Sequence, residues 1–336
     1  MSRWTPRTAL LFPLLAALSC GRYADFTLPP APGAGGGAPA AWEWAESPDP
    51  RLRPGPPGSW DASDVLNPSV VVHDGLHWNY YSGFDGRTWH TGLATSPDGA
   101  AWTKQGKVLS PGPAAWEGAY IAANGSALVV EGETLYWYQA GPKGATRIGL
   151  ARSRDGRVFR REPAPVLDRG PWGSWDEGAI GDPYVLREGR FFWMFYLGQD
   201  RARRQRLGLA RSEDGVRWTR LRANPVLELG ESGAFDETGL GEPAVWPWAG
   251  EWWMAYTGRD RREHRRIGLA RSRDGVHWTR APGVFAGSQP WDATVVCDPS
   301  VLAAPGEVRA WFGGGDAASP DENLHGRIGF AILKPR

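Results

Sequence analysis

SWDEGAIGDPYVL, residues 174–186, decides the fold, because the chain carries this segment five times. The other copies are SWDASDVLNPSVVV (59–72), AWEGAYIAANGSALVV (115–130), AFDETGLGEPAVW (234–246) and PWDATVVCDPSVL (290–302). Their opening aromatics, Trp60, Trp116, Trp175, Phe235 and Trp291, fall at steps of 56, 59, 60 and 56 residues. A fixed period of this size marks an array of equivalent structural units. Each unit continues through four strand-like runs. In the third they are the run after Asp182-Pro183, the aromatic run Phe191–Tyr196, Leu207–Ala210 and a short run from Trp218. Four strands per repeat make a blade, so the expected fold is all-β, a five-bladed β-propeller over residues 42–336.

Ser-x-Asp-Gly-x-x-aromatic begins at Ser96, Ser153, Ser212 and Ser272, between the third and fourth runs. Asp-Gly supplies the positive φ of a tight hairpin turn, and the motif reads as architectural. The fifth repeat stops at its third run, Arg327–Leu333, which would leave a sheet edge open. Trp44 precedes Trp60 by 16 residues, the interval from Phe159 to Trp175, so Trp42-Glu43-Trp44 is expected to supply the missing strand. Antiparallel order then puts the loops before strand 1 and between strands 2 and 3 on one face, and the Asp-Gly turns on the other.

The 38 Lys and Arg against 37 Asp and Glu leave no net field for nucleic acid or an anionic membrane surface. Twenty Trp against three Met favour sheets and flat binding surfaces. Residues 1–19 read as a signal peptide, with Arg3 and Arg7 before the apolar run Thr8–Leu18. Ala-Ala-Leu-Ser-Cys20-Gly21 resembles a bacterial lipoprotein signal, in which Cys20 carries the lipid. Gly21 after the cysteine points to the outer membrane, on the periplasmic or cell-surface side. Residues 20–41, rich in Pro, Gly and Ala, are expected to be a flexible linker. Cys297 is then a lone buried thiol. A monomer is expected, with no cofactor and no metal, since the six His show no ligand spacing.

Two positions in the opening loops differ when the copies are compared. The residue after the aromatic is always acidic: Asp61, Glu117, Asp176, Asp236 and Asp292. A role repeated five times suits capping of loop N–H groups. Because they lie in loops of the candidate face, Asp61, Asp176 and Asp236 are also taken as candidate sugar contacts. The residue before the Pro or Gly instead varies as Asn67, Asn124, Asp182, Glu242 and Asp298. Every first strand surrounds the axis, so these five side chains should meet at one mouth, either as a two-carboxylate hydrolysis site or as a polar ring. Arg201, Arg203, Arg204 and Arg206, with Arg259, Arg261, Arg262, Arg265 and Arg266, crowd two loops of that face. Guanidinium forks suit anionic groups, and Arg259 is taken as a substrate contact. Pairing with Asp200, Asp260 and Glu263 is the plainer reading. His325 lies in the fifth loop of that face.

The repeat WD…DPxV…IGLAxSxDGxxW resembles the five-bladed glycoside hydrolases of family 43 and its relatives, families 32, 62, 68 and 130, from about Trp42 to the C-terminus. The resemblance implies a glycosidase acting on a poly- or oligosaccharide. By position it makes Glu242 the general acid and Asp182 the residue that orients and tunes it. At the general-base position this chain holds Asn67 where family 43 has Asp, and an amide does not take a proton from an attacking water. Asp61, Asp64 or Asp298 is then the replacement base. Alternatively the chain follows the phosphorolytic relatives, or it only binds, as a non-catalytic carbohydrate-binding propeller. A sialidase-like reading, from the shortened Asp-box, requires one more blade.

Overall fold

The computed structural model describes residues 23–33 and 39–336, and among them every regular element is a β-strand. Blade 3 shows the plan, with Ala179–Glu188, Phe191–Gln199, Gln205–Ser212 and Thr219–Leu221 each antiparallel to the strand before. The first strands of the other blades are Asp64–His73, Ile121–Val130, Gly239–Trp248 and Val295–Ala304. They are stitched to one another by side-chain hydroxyls. Ser300 Oγ accepts from Val70 N at 3.0 Å, Ser69 Oγ from Ala127 N at 2.8 Å and Ser126 Oγ from Val185 N at 2.9 Å. The fifth blade is therefore bonded to the first as the first is to the second.

The Asp-Gly turns hold the blades together on the far face. In the first, Asp98 Oδ1 accepts the N–H groups of Ala100 and Ala101 at 2.8 and 2.9 Å. The turn carbonyls then receive an aromatic side chain from the preceding blade. Tyr80 Oη donates to Gly156 O at 3.0 Å, Trp137 Nε1 to Gly215 O at 2.8 Å and Trp311 Nε1 to Gly99 O at 2.7 Å. Trp137 and Trp311 are fully buried between sheets, as are Trp252 and Trp253 of blade 4.

Blade 3 presents Phe195 at the equivalent position, a ring with no donor, and there the N-terminal segment intervenes. Tyr23–Ala24 runs parallel to Thr219–Leu221, Phe26 packs edge-on against Trp193 at 5.7 Å, and buried Leu28 covers Gly275 and donates its N–H to Asp274 O at 2.8 Å. Trp252 Nε1 donates to Pro29 O at 2.9 Å. The expected flexible linker over residues 20–41 is corrected for 23–33, which lie on blades 3 and 4. Three spaced apolar side chains cover an otherwise open edge there. The signal peptide and Cys20 lie outside the described residues.

The N-terminal strand Trp42–Glu46 pairs antiparallel with Arg327–Pro335, from Trp42 opposite Pro335 to Glu46 opposite Ala331, completing the fifth sheet as expected. Its chemistry departs from the other four blades in one respect. In those blades the constant acid is buried between a Tyr hydroxyl and a basic side chain of the fourth strand. Asp61 takes Tyr81 and Lys104, Glu117 takes Tyr138 and Arg161, Asp176 takes Tyr196 and Arg220, and Asp236 takes Tyr256 and Arg280. In blade 5 the Tyr position is Phe312, and the N-terminal strand brings Glu46 where a Lys or Arg would stand. Asp292 keeps one backbone donor, Gln289 N at 2.9 Å to Oδ1, and otherwise faces the Glu46 carboxyl, which its Oδ2 can bond only when one of the two is protonated.

Burial, then the hydrogen bond to Glu46, push the Asp292 pKa up to about 7. The folded state thus keeps a proton between about pH 4 and 7 that a free carboxyl would release. The clasp is strongest below that window and weakens as pH rises through it. Glu46→Lys, which restores the pairing of the other blades, is expected to raise Tm at pH 8 by about 3–6 °C and to change it much less at pH 5. Thermal unfolding at both pH values checks this. An equal gain at the two would remove the shared-proton account.

Candidate functional site

Each first strand breaks register once. The breaks lie between Leu66 and Ser69, Ala123 and Ser126, Gly181 and Tyr184, Gly241 and Ala244, and Cys297 and Ser300. The bulged residue is Asn67, Asn124, Asp182, Glu242 or Asp298, at φ of 48°, 48°, 45°, 47° and 54°. Left-handed backbone suits Asn and Asp, whereas Glu242 adopts it at a cost that points to a functional placement. Pro follows in four copies and Gly in the second, residues that end regular pairing. A bulge re-aims its side chain. All five point into one cavity of about 740 Å³ on the face away from the Asp-Gly turns.

Inside it, Asn124 Nδ2 donates to Asp182 Oδ1 at 3.2 Å, and Asn124 Oδ1 accepts from Ser82 Oγ at 2.9 Å. Asp298 Oδ2 accepts the backbone N–H of Asn67 at 3.1 Å, and the Asp298 N–H is fixed by Thr257 Oγ1 at 3.0 Å. Glu242 Oε2 is buried without a protein partner. Burial and then the Glu242 charge push the Asp182 pKa up to about 8. The same two causes, in that order, raise Asp298 well above the carboxylate range, and Arg265 opposes them. Three carboxyls from blades 3, 4 and 5 therefore share one electrostatic field with Glu242 in common, and that field disfavours ionisation of both aspartates.

Of the other candidates, Arg259 lines the cavity, and Trp89 and Tyr120 give it aromatic wall. Trp89 stacks on Phe84 with ring centroids 4.8 Å apart. Asp61, Asp176 and Asp236 do not reach the cavity. They are the blade clasps described above, which corrects their reading as sugar contacts. A residue that must hold a Tyr and a base inside its own blade is turned away from the axis. Asp64 is likewise spent on the N–H groups of Asn323 and Gly326, at 2.6 and 2.7 Å. Of the three acids considered as replacements at the Asn67 position, only Asp298 lines the cavity. His325 pairs with Asp316 at 2.6 Å outside it, and the described residues hold no cluster of three or more His, Cys, Asp or Glu placed for a metal. Cys297 is buried, and burial raises its thiol well above the usual range.

Five of the nine arginines of the two loops are ion-paired, and of the three expected acids Asp200 and Glu263 take part. Arg201 meets Glu177 at 3.2 Å, Arg204 and Arg206 meet Asp200 at 3.0 and 3.2 Å, and Arg261 meets Glu237 at 3.0 Å. Asp260 pairs with His264 at 3.3 Å instead of an arginine.

The chain is similar to "Uncharacterized protein MT1551" of Mycobacterium tuberculosis (strain CDC 1551 / Oshkosh), 28% identical over 229 residues, which span 63% of this chain and 75% of that protein. Among solved structures it superposes on one named "Glycoside hydrolase", with TM-score 0.70, 19% identity and 87% and 93% of the two chains covered. It also superposes on a thermostable family-43 glycoside hydrolase, with TM-score 0.63, 18% identity and 81% and 92% covered. These likenesses establish the propeller fold. The family model "Glycosyl hydrolases family 32 N-terminal domain" matches residues 67–298, from the bulged residue of blade 1 to that of blade 5, and this chain belongs to that family, one of the relatives of family 43.

Proposed function

We propose that the protein hydrolyses glycosidic bonds in a poly- or oligosaccharide, with Glu242 donating the proton to the leaving oxygen and Asp182 orienting it. Asp298 is the second carboxylate in place of the amide Asn67. The observation that supports this is the convergence of Asp182, Glu242 and Asp298 on bulged, left-handed backbone around one cavity. Acid–base cleavage of a glycoside requires two carboxyls in different protonation states. Burial and mutual repulsion keep the three carboxyls from all ionising together, so a proton and a carboxylate coexist in the cavity, as such cleavage requires. Reducing-end release from arabinan, xylan, fructan and mannan tests the reading, and turnover of at least one is expected. Asn67 favours a second reading, a carbohydrate-binding module without catalysis, which predicts affinity for one of these polymers and turnover of none.

We further propose that the protein is exported and held at the outer membrane through lipid on Cys20, as the sequence around it suggests. Cys20→Ser is expected to move it from the membrane to the soluble fraction or to leave the precursor unprocessed. Unchanged membrane association would remove the anchor.

A further inference from the structure

The register of blade 4 places two arginines face to face. Arg259 ends its second strand, Arg265 begins its third, and the two are direct cross-strand partners. Like charges directly opposite destabilise a sheet. The same pair of positions in other blades is self-satisfied. Phe84 and Trp89 stack in blade 1, and Gln205 Nε2 donates to Gln199 Oε1 at 3.2 Å in blade 3.

Both arginines line the cavity, and both are tied mainly to backbone. Arg265 Nη2 donates to Ser319 O and Pro320 O at 3.2 and 2.9 Å, and Arg259 Nη1 donates to Pro320 O at 3.2 Å. The nearest carboxylate to Arg259 is Glu263 at 3.4 Å from Nη1, on the side already occupied by Pro320. Its other edge is free: Nε is buried with no protein partner, and Nε and Nη2 lie over Gly239, 3.4 and 3.5 Å from where a side chain there would begin. Burial, partly offset by Glu263 and reinforced by the Arg265 charge, draws the Arg259 pKa down. Arg265 lies in the field of Glu242 and Asp298, so the pair adjoins the reacting carboxyls.

We propose that the Nε–Nη2 edge of Arg259, with Arg265 behind it, is a subsite for an oxyanion carried by the sugar, a carboxylate or a sulfate or phosphate ester, so that the substrate is an acidic saccharide. The fork geometry of guanidinium matches two oxygens of such a group. An anion there also relieves the cross-strand repulsion. The sugar as bearer of the anion rests on the glycosidase reading, whereas anion binding itself does not.

Calorimetric titration of the full chain with galacturonate, glucuronate, the matched neutral sugars and inorganic phosphate separates the cases. Wild type is expected to bind a uronate about 10- to 100-fold more tightly than its neutral counterpart. Arg259→Gln is expected to erase that preference, bringing its uronate and neutral-sugar affinities within about threefold of each other. Arg259→Lys, which keeps the charge and loses the fork, should retain part of it, and Tm measured on each variant separates lost binding from lost folding. Phosphate binding that depends on Arg259 without any uronate preference would place the anion in solution rather than on the sugar and overturn the substrate class. Neutral-polymer turnover with no anion preference would overturn the subsite and leave the glycosidase reading standing. Uronate binding that persists undiminished in both variants overturns the role of Arg259.

Discussion

Glu242→Gln is expected to lower kcat on a natural polysaccharide by about 10²–10⁴-fold, the usual contribution of a positioned proton donor, and to change saccharide affinity by less than about tenfold. Gln keeps the length of the side chain and one oxygen, and it tolerates the backbone at φ 47° no worse than Glu does. What disappears is the proton and the charge. Asp182 and Asp298 are both held up partly by the Glu242 charge, so the substitution should also let both ionise at lower pH. The pH profile of the residual activity should therefore move toward acid. An aryl glycoside whose leaving group departs without protonation should lose far less than the polysaccharide does. That contrast distinguishes a missing acid from a damaged cavity. Asp298→Asn should lower turnover on both substrates alike, because an activated leaving group does not replace the second carboxylate. Polysaccharide turnover that survives Glu242→Gln would rule out the mechanism.

The blades were legible in the sequence because the fold repeats itself: five aligned copies expose period, strand count and turns without any need to know how the strands pack. The same comparison found the five bulged residues, since a position that varies among otherwise equal copies is freed from the common structural task. It also held the signal that Asp61, Asp176 and Asp236 are structural, because their constancy across blades argues against a site on one side of the axis. Register was not legible. That Arg259 stands opposite Arg265, or that Glu46 occupies the place of a Lys or Arg, follows only from pairing partners. Nor were residues 23–33 legible as a packed segment, because Tyr23, Phe26 and Leu28 among prolines show neither a period of two nor one of 3.6. Their burial depends on an edge in blade 3 and on Phe195 lacking a donor, both of them tertiary facts. Which of three acids could stand near the Asn67 position was open in the sequence, and pairing decides it in part, since Asp61 and Asp64 are bonded elsewhere while Asp298 lines the cavity.

A chain beginning at Asp49 is expected to unfold far below one beginning at Pro39, and to aggregate. The difference between them is the strand Trp42–Glu46. Trp42 is 3% exposed and packs edge-on against Trp246, Trp248 and Trp253 at 5.9, 5.0 and 5.5 Å. Trp44 stacks on Phe285 at 4.6 Å and donates to Gly283 O at 3.1 Å. Losing the buried Trp42 costs about 3–5 kcal/mol, and losing half-buried Trp44 and the strand ladder with it approaches the whole stability of a typical domain, about 5–15 kcal/mol. The truncation also bares the hydrogen-bonding edge of Arg327–Pro335, a template for a second chain. The chain from Pro39 keeps that strand and loses residues 23–33, whose main buried contact is Leu28. A cost of about 2–5 kcal/mol, or about 5–15 °C in Tm, is expected for it. Trp42→Ala in the full chain should fall between the two, since it empties the tryptophan cluster without opening the edge. Calorimetry on the three proteins measures the order directly. Equal melting temperatures for the two truncations would mean that the fifth sheet does not depend on its N-terminal strand, against the five-residue ladder that joins the two ends of the chain.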